Sequence, residues 1–382
     1  MEGGRGGMKE SEGIMAGNGV VSRGNLHCLK KAMKRAQSGK KLTIGFIGGS
    51  ITQGSLSSTP LTCYAYLVYN WWRKKFPEAE HLYVNAGVGG TTSQFGAARA
   101  EEDLLCHKPD FVIVEFSVND ENNGHFAETY EGLVRKIYGS DGEPALLLLH
   151  NVRYDNGENA QKEHEKIGKA YGLPCISMKE ALYGKVASGE IPVRSITPDD
   201  LHPNDLGHEL VARAVIEFLE GVYECRSEEE PPFYKGKLPE PLTRNRYGHS
   251  VRYRNDNCSP ECDGFTKDSK KNEKNSHIFQ KGWIASGIND KIVFEIEGTI
   301  IAVQYRKSIR KPAPVARVII DGKEERSFLL DGNFDEDWGD CLYIDTVAEN
   351  LENTVHTVEI TIVENSKNPA VPFYLVSVIG SR

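Results

Sequence analysis

Long apolar runs are scarce in this 382-residue sequence. The longest, ALLLLH at residues 145–150, is far shorter than the roughly 20 apolar residues that a membrane-spanning helix needs, so we expect no membrane partner. Basic residues are in the minority, with 46 lysines and arginines against 54 acidic residues and a net charge of -8. Because no basic stripe with interleaved aromatics is present either, nucleic acid is not an expected partner.

Signals for secretion and for metal binding are also missing from the sequence. Residues 1–24 carry charges and glycines without an apolar core, and predict a flexible tail on a cytoplasmic protein. The eight cysteines are then free thiols by default. Cys258 and Cys262 lie close together in NCSPECDG, but no second Cys/His pair with zinc spacing stands nearby. We therefore predict neither a metal nor an organic cofactor.

Strands and helices alternate through residues 25–224. Near-continuous apolar runs (LTIGFIG, LYVNAG, DFVIVEFS, ALLLLHN and a shorter LPCIS) are separated by amphipathic stretches such as YAYLVYNWWRKKF. Runs of this kind are typical of parallel strands that are covered on both faces. The alternation predicts an α/β fold with a doubly wound parallel sheet.

The pattern changes after a charged, proline-rich stretch, which we interpret as a linker over residues 225–246. Residues 247–382 show alternating strands with almost no helical period, which is typical of an all-β sandwich. Glu297-Gly298 and Asp321-Gly322 each interrupt an alternating stretch and predict two hairpins. The polar stretch over residues 254–277 predicts a long loop.

Polar and glycine-rich segments follow the predicted strands of the first half. Ser50 follows the first strand, residues 85–93 (NAGVGGTTS) the second, and residues 117–120 (SVND) the third. Residues 197–205 (TPDDLHPND) precede the last helix. Ligands of open α/β sheets bind beyond the carboxyl ends of the strands, so we expect these segments to meet in one crevice.

The residue types in these segments are those that ester hydrolysis needs. Ser50 is the candidate nucleophile, His202 the base, and Asp199 the carboxylate that orients the imidazole, with two residues between them on a short turn. The backbone N–H groups of Ser50 and Gly90 and the side-chain amide of Asn119 are candidate donors to the oxyanion. A phosphate-binding loop is a weaker interpretation, because no Lys-Ser/Thr pair follows the glycines.

These segments resemble the four blocks of the SGNH (GDSL-type) hydrolase superfamily, which supply Ser, Gly, Asn and His in this order. Here they are GGS with Ser50, NAGVGG with Gly90, VND with Asn119, and DDLH with Asp199 and His202. The resemblance covers about residues 42–223 and implies a flavodoxin-like, three-layer α/β/α domain with a Ser-His-Asp mechanism. Gly90, rather than its neighbour Gly89, is assigned as the glycine of the second block, because the number of residues from Asn85 favours it.

Two positions depart from the family pattern. Gly49 stands where the family name has aspartate, and Ser117 stands where glycine is usual. Neither change removes a catalytic group.

The whole layout is similar to gut-bacterial carbohydrate acetylesterases of the acetylmannan type, which carry a C-terminal carbohydrate-binding-like sandwich or jelly roll. This resemblance implies an acetylated manno-oligosaccharide as substrate. Another acyl substrate (xylan or another glycan, a lipid or a thioester), a non-catalytic carbohydrate-binding protein and an acetyltransferase stay open, as does a homo-oligomeric assembly.

Three residues have competing interpretations at this stage. Asp200 competes with Asp199 as the orienting carboxylate, and the family spacing favours Asp199. His208 is expected on the helix surface. Trp338 lies in the acidic loop FDEDWGDC and is a candidate sugar-binding residue that could reach the crevice, or a loop tryptophan without that role.

Overall fold

A computed structural model describes residues 19–225, 230–234, 238–269, 278–365 and 371–382. The chain divides into two compact units, Met1–Asn245 and Arg246–Arg382. The division coincides with the change in sequence pattern, and each unit has its own hydrophobic core.

The first unit contains one six-stranded sheet. Its strands are β1 (Val20–Ser22), β2 (Leu42–Gly48), β3 (His81–Gly87), β4 (Phe111–Glu115), β5 (Ala145–His150) and β6 (Cys175–Ser177). The order is β1-β6-β5-β4-β2-β3, and all neighbours are parallel except the antiparallel pair of β1 and β6. Without β1 this is the flavodoxin-like order 2-1-3-4-5, whose chain reversal lies between β2 and β4 and marks the expected ligand crevice.

Helices cover both faces of this sheet. They are α1 (His27–Gln37), α2 (Ser50–Gln53), α3 (Tyr64–Lys75), α4 (Ser93–Asp103), α5 (Gly124–Tyr138), α6 (Gln161–Ala170), α7 (Gly184–Ala187), α8 (Val193–Ile196) and α9 (Asp205–Glu224), with short 3-10 and π turns at Leu105–His107 and Lys179–Tyr183. α1, α3 and α9 contribute to one core and α4, α5 and α6 to the other. Strands such as β2 and β4 are buried along their whole length because both faces are covered. The predicted three-layer α/β/α domain is confirmed.

The chain segments at either end of this unit differ from the prediction. The predicted tail lies outside the described residues up to residue 18, but Val20–Ser22 pairs with β6 and belongs to the sheet. The predicted linker contacts the domain where it is described. Glu230 accepts a hydrogen bond from the Leu26 N–H at 3.0 Å. Glu131 of α5 accepts hydrogen bonds from Leu242, Thr243 and Tyr171. The charged, proline-rich composition of this segment predicts surface exposure. It does not reveal that backbone N–H groups of the segment bond to the buried carboxylate of Glu131.

The second unit is a sandwich of two antiparallel sheets. Its strands are β7 (Ser250–Tyr253), β8 (Glu261–Asp263), β9 (Thr266–Lys267), β10 (Trp283–Ala285), β11 (Lys291–Gly298), β12 (Ile300–Lys307), β13 (Val315–Ile320), β14 (Phe328–Asp331), β15 (Cys341–Ala348), β16 (Thr354–Glu364) and β17 (Phe373–Ser381). One sheet has the order β15-β12-β17-β10-β9 with β7 beside β17, and the other β14-β13-β16-β11-β8. The all-β prediction is confirmed, and the predicted long loop contains two short strands, β8 and β9.

One of the two predicted hairpins is wrong. β13 and β14 pair across Asp321-Gly322, as predicted. β11 and β12, in contrast, belong to different sheets, because β11 pairs with β8 and β16 while β12 pairs with β15 and β17. The chain therefore crosses from one sheet to the other at Thr299. Alternating apolar residues fit a crossing as well as a hairpin, since both place one side of each strand in the core.

Candidate active site

The structure brings Ser50, His202 and Asp199 into one hydrogen-bonded series. Ser50 is the first residue of α2, directly after the carboxyl end of β2, and is only 6% exposed. Its Oγ lies 2.8 Å from His202 Nε2, and His202 Nδ1 lies 2.7 Å from Asp199 Oδ2. This is the relation of nucleophile, base and orienting carboxylate that acyl transfer requires.

Asp199 is held by several donors at once. Its Oδ1 accepts hydrogen bonds from the backbone N–H groups of His202 and Leu201 and from the Thr197 hydroxyl. Partial burial opposes ionisation, but the hydrogen bonds from the His202 ring and from the two backbone groups outweigh it and lower the pKa of Asp199. An ionised Asp199 keeps the proton of the imidazole on Nδ1, which leaves Nε2 to accept the Ser50 proton.

Asp200 points away from the imidazole. Its carboxylate lies 2.7 Å from the Arg194 guanidinium, and its carbonyl accepts a hydrogen bond from the Tyr154 N–H. Its backbone is in the left-handed region at φ 65°. Asp200 therefore shapes the turn that carries the triad, and Asp199 occupies the position of the orienting carboxylate.

His208 is buried, which differs from the expected surface position. Burial lowers its pKa to about 4. Its Nδ1 accepts a hydrogen bond from the Tyr64 N–H, and its Nε2 contacts the Ser55 carbonyl. The N–H of Ser55 in turn donates to the Ser50 carbonyl. The helical period of the sequence indicates this burial, because His208 lies one turn before Val211 and Ala212 on the buried face of α9.

Asn119 and Gly90 come from the loops after β4 and β3. Asn119 lies against Gly49, and neither end of its carboxamide is bonded to another described residue. Gly90 has φ 68°, and no hydrogen bond among the described residues uses its N–H or that of Ser50. The N–H of Gly89, in contrast, donates to Gln53 Oε1 at 2.8 Å. Gly90 is therefore the better candidate for an oxyanion donor.

The two departures from the family pattern have structural counterparts. A β-carbon at Gly49 would lie 2.2 Å from Asn119 Oδ1, so the absence of a side chain there makes room for the amide. Ser117 donates a hydrogen bond to the Asn151 carbonyl at 3.0 Å and thereby joins the ends of β4 and β5.

Buried carboxyl groups lie behind these loops. Burial raises the pKa of Glu115 and of Asp120 to about 7 each. Thr52 of α2 donates a long hydrogen bond of 3.4 Å to Glu115. Asp120 accepts from the Ser93 N–H and contacts His164, whose pKa burial lowers to about 3. The sequence does not reveal that Glu115, Asp120 and His164 are buried, since nothing local marks a titratable side chain as buried.

A cleft of about 1280 Å³ lies beside Asn119. It is formed by the loops after β4 and β5 and by α6, and its lining is polar and charged, including Arg153, Lys162 and Lys179. Of the candidate catalytic and oxyanion residues, Asn119 alone is among its lining residues, and the polar lining suits a hydroxyl-rich ligand better than a long acyl chain.

The remaining candidates lie in the second unit. Trp338 is 59% exposed, and its ring lies edge-on to that of Phe334 at 5.0 Å. Cys258 and Cys262 are free thiols. Across the part of the chain that the structure describes, no cluster of three or more His, Cys, Asp or Glu residues is arranged to hold a metal ion, and no helix has the length and apolarity to cross a membrane.

The fold and the site define a serine hydrolase of the α/β class. The model of the GDSL-like lipase/acylhydrolase family matches residues 46–210, which include every candidate catalytic and oxyanion residue. Two crystal structures of a two-domain esterase active on acetylated mannans, one of them with mannopentaose, are 55% and 54% identical to this chain. Each covers 95% of this chain and 97% of its own, with TM-scores of 0.90 and 0.91.

A smaller relative matches about half of the chain. It is an acetylxylan esterase of Geobacillus stearothermophilus, 27% identical over 210 residues, which cover 47% of this chain and 93% of that protein. The chain belongs to the GDSL-like lipase/acylhydrolase family.

Proposed function

We propose that this protein is a serine acetylesterase that removes O-acetyl groups from acetylated manno-oligosaccharides. The observation that carries the proposal is the hydrogen-bonded series of Ser50, His202 and Asp199 at the carboxyl end of the sheet. Likeness over 95% of the chain to an esterase active on acetylated mannans supports the substrate class. No step of the reaction needs a metal or a cofactor.

The reaction begins with attack of Ser50 Oγ on the acetyl carbonyl carbon while His202 Nε2 takes the serine proton. The carbonyl oxygen becomes an oxyanion that accepts hydrogen bonds from the Ser50 and Gly90 N–H groups and from the Asn119 amide. As the C–O bond to the sugar breaks, His202 returns the proton to the sugar oxygen, and the acetyl group stays on Ser50.

Water completes the reaction. His202 accepts a proton from a water molecule, whose oxygen attacks the acetyl-enzyme through a second oxyanion. When this intermediate collapses, the bond to Ser50 Oγ breaks, the proton returns to the serine, and acetate leaves. Asp199 stabilises the charged imidazole at both stages without becoming protonated.

We also propose that the second unit binds carbohydrate, with Trp338 as a stacking surface. The indole is exposed in an acidic loop, and an exposed aromatic face suits the apolar face of a pyranose ring. A cytoplasmic location and a homo-oligomeric state stay predictions.

Acetate release from acetylated mannan by the wild type and by Ser50→Ala tests the proposal. We expect release by the wild type and none by the variant. Release from acetylated xylan only, or from a small activated ester only, would retain the catalytic residues and reject mannan. If the wild type transferred acetyl to sugar with little free acid, the protein would be a transferase, and inactivity on every ester would leave carbohydrate binding as its function.

A further inference from the structure

Two side chains join the chain around Gly90 to the helix that carries the nucleophile. Asn85, in β3, donates to the Thr52 carbonyl at 2.8 Å, and Gln53 accepts a hydrogen bond from the loop itself. We propose that Gln53 is a positioning residue for the oxyanion hole and acts through Gly89 on the Gly90 N–H. This inference rests on the proposed function, because it assumes that the Gly90 N–H donates to the oxyanion.

Gln53 is well placed to fix the distance between the Gly90 loop and the helix that carries Ser50. It is the last residue of α2, three residues after Ser50, and its Oε1 accepts the Gly89 N–H at 2.8 Å. A β-carbon at Gly87 would lie 2.2 Å from the Gln53 backbone nitrogen, so the end of β3 packs directly against the backbone of Gln53. This contact fixes the backbone from which the Gln53 side chain reaches the loop.

The loop has a hydrogen bond of its own, from the Thr91 hydroxyl to the Val88 carbonyl at 2.7 Å, but its two glycines restrict the backbone little. Gly89 and Gly90 are adjacent, and glycine accepts backbone conformations on both sides of φ 0°. The Val88 N–H donates to the Gly48 carbonyl before the pair, and the Ser93 N–H donates to Asp120 after it. Between these two points, Gln53 supplies the hydrogen bond that ties the loop to the helix of the nucleophile.

Two other roles for Gln53 predict different kinetics. An ordinary surface hydrogen bond would leave turnover unchanged when it is lost, since Gln53 is exposed and lies outside the core. A contact with the sugar through its second amide atom would change KM for an oligosaccharide and leave a small ester unaffected. A positioning role instead lowers kcat for every acetyl ester, because the same oxyanion forms in each.

The test compares Gln53→Met, which keeps the side-chain length but has no amide acceptor, with Gln37→Ala, a change at an exposed glutamine on α1. Both are measured beside the wild type and Ser50→Ala, with a small activated acetate ester and with acetylated manno-oligosaccharide. Loss of a whole oxyanion donor costs about 10²–10³ in turnover, so a displaced donor should cost roughly tenfold.

We expect Gln53→Met to lower kcat about tenfold on both substrates, with KM changed by less than about twofold and the melting temperature unchanged. Binding of methylboronic acid, which forms a tetrahedral adduct with Ser50, should weaken by a similar factor. A rate equal to that of Gln37→Ala, or a loss confined to KM for the oligosaccharide, would overturn the inference. A wild type inactive on both esters would reject the proposed function, and this inference with it.

Discussion

A single residue in the left-handed conformation shapes the turn between the orienting carboxylate and the base. Asp200 has φ 65°, lies between Asp199 and Leu201, and is bonded to Arg194 through its side chain and to Tyr154 through its carbonyl. Aspartate tolerates this region better than β-branched residues do. We therefore expect the conformation of Asp200 to matter more to catalysis than its carboxylate does.

Substitutions at position 200 separate the contribution of the backbone conformation from that of the carboxylate. We expect Asp200→Gly to keep kcat within about threefold of the wild type, because glycine adopts the turn freely and an exposed ion pair contributes little. Asp200→Val should lower both kcat and the melting temperature, since the left-handed conformation costs a β-branched residue about 1–2 kcal/mol, whereas the short polar side chain of aspartate tolerates it. Equal losses in the two variants, measured with a small acetate ester, would show that the carboxylate itself is needed.

Residues that carry the chemistry were easier to predict than those that support it. Ser50, Asn119 and His202 stand in short segments after predicted strands or before a helix, and the geometry of parallel sheets brings such segments together. Gln53 and His208 could not be assigned in this way. Their contacts, with the Gly89 N–H and the Ser55 carbonyl, depend on loop conformations that no local pattern specifies.

At the scale of elements, the parallel strands of the first unit were predictable and one connection of the second unit was not. Each parallel strand is a short apolar run bounded by glycine or polar residues, so its limits are visible locally. β11 and β12 have partners far away in the sequence, β16 for one and β15 and β17 for the other. Because alternation shows only which side of a strand is buried, it could not choose between these partners.

Glu115 lies at the end of β4, beneath α2, and its titration should appear in the stability of the fold. Its pKa of about 7 lies above the ordinary value of 4.5, so the stability it contributes is present below about pH 4.5 and is lost as pH rises to about 7. Glu115→Gln removes this dependence. We expect the variant to gain stability relative to the wild type between pH 4.5 and 7, by up to roughly 3 kcal/mol.

Urea unfolding at a series of pH values measures this difference, with Glu224→Gln at an exposed position of α9 as the control. The control should differ from the wild type by a constant amount across the range. A similarly constant difference for Glu115→Gln would contradict the raised pKa.

At the scale of the molecule, the sequence predicted two units of different class but not the path of the chain between them. The described part of the predicted linker is held on the first unit by Glu131, which accepts the backbone N–H groups of Leu242 and Thr243. The first unit therefore extends to Asn245, 21 residues beyond Glu224, at which its last helix ends.

Trp338 tests whether the second unit takes part in substrate binding. We expect Trp338→Ala to raise KM for acetylated manno-oligosaccharide about three- to tenfold, which corresponds to the contribution of one aromatic contact. Turnover of a small acetate ester should not change. Ile288→Ala, at another exposed apolar position of this unit, is the matched control. An unchanged KM for the oligosaccharide in Trp338→Ala would exclude the residue from binding.

The short strand at the start of the described chain has a further consequence, for self-association. β1 pairs with β6 and thereby covers the backbone of a strand that would otherwise end the sheet with unpaired N–H and C=O groups. Such an open edge is a template on which another chain can add a strand, whereas a three-residue strand with an irregular register offers little to add to. We therefore expect Val20–Ser22, within the segment whose composition predicted a tail, to protect the sheet from edge-to-edge aggregation.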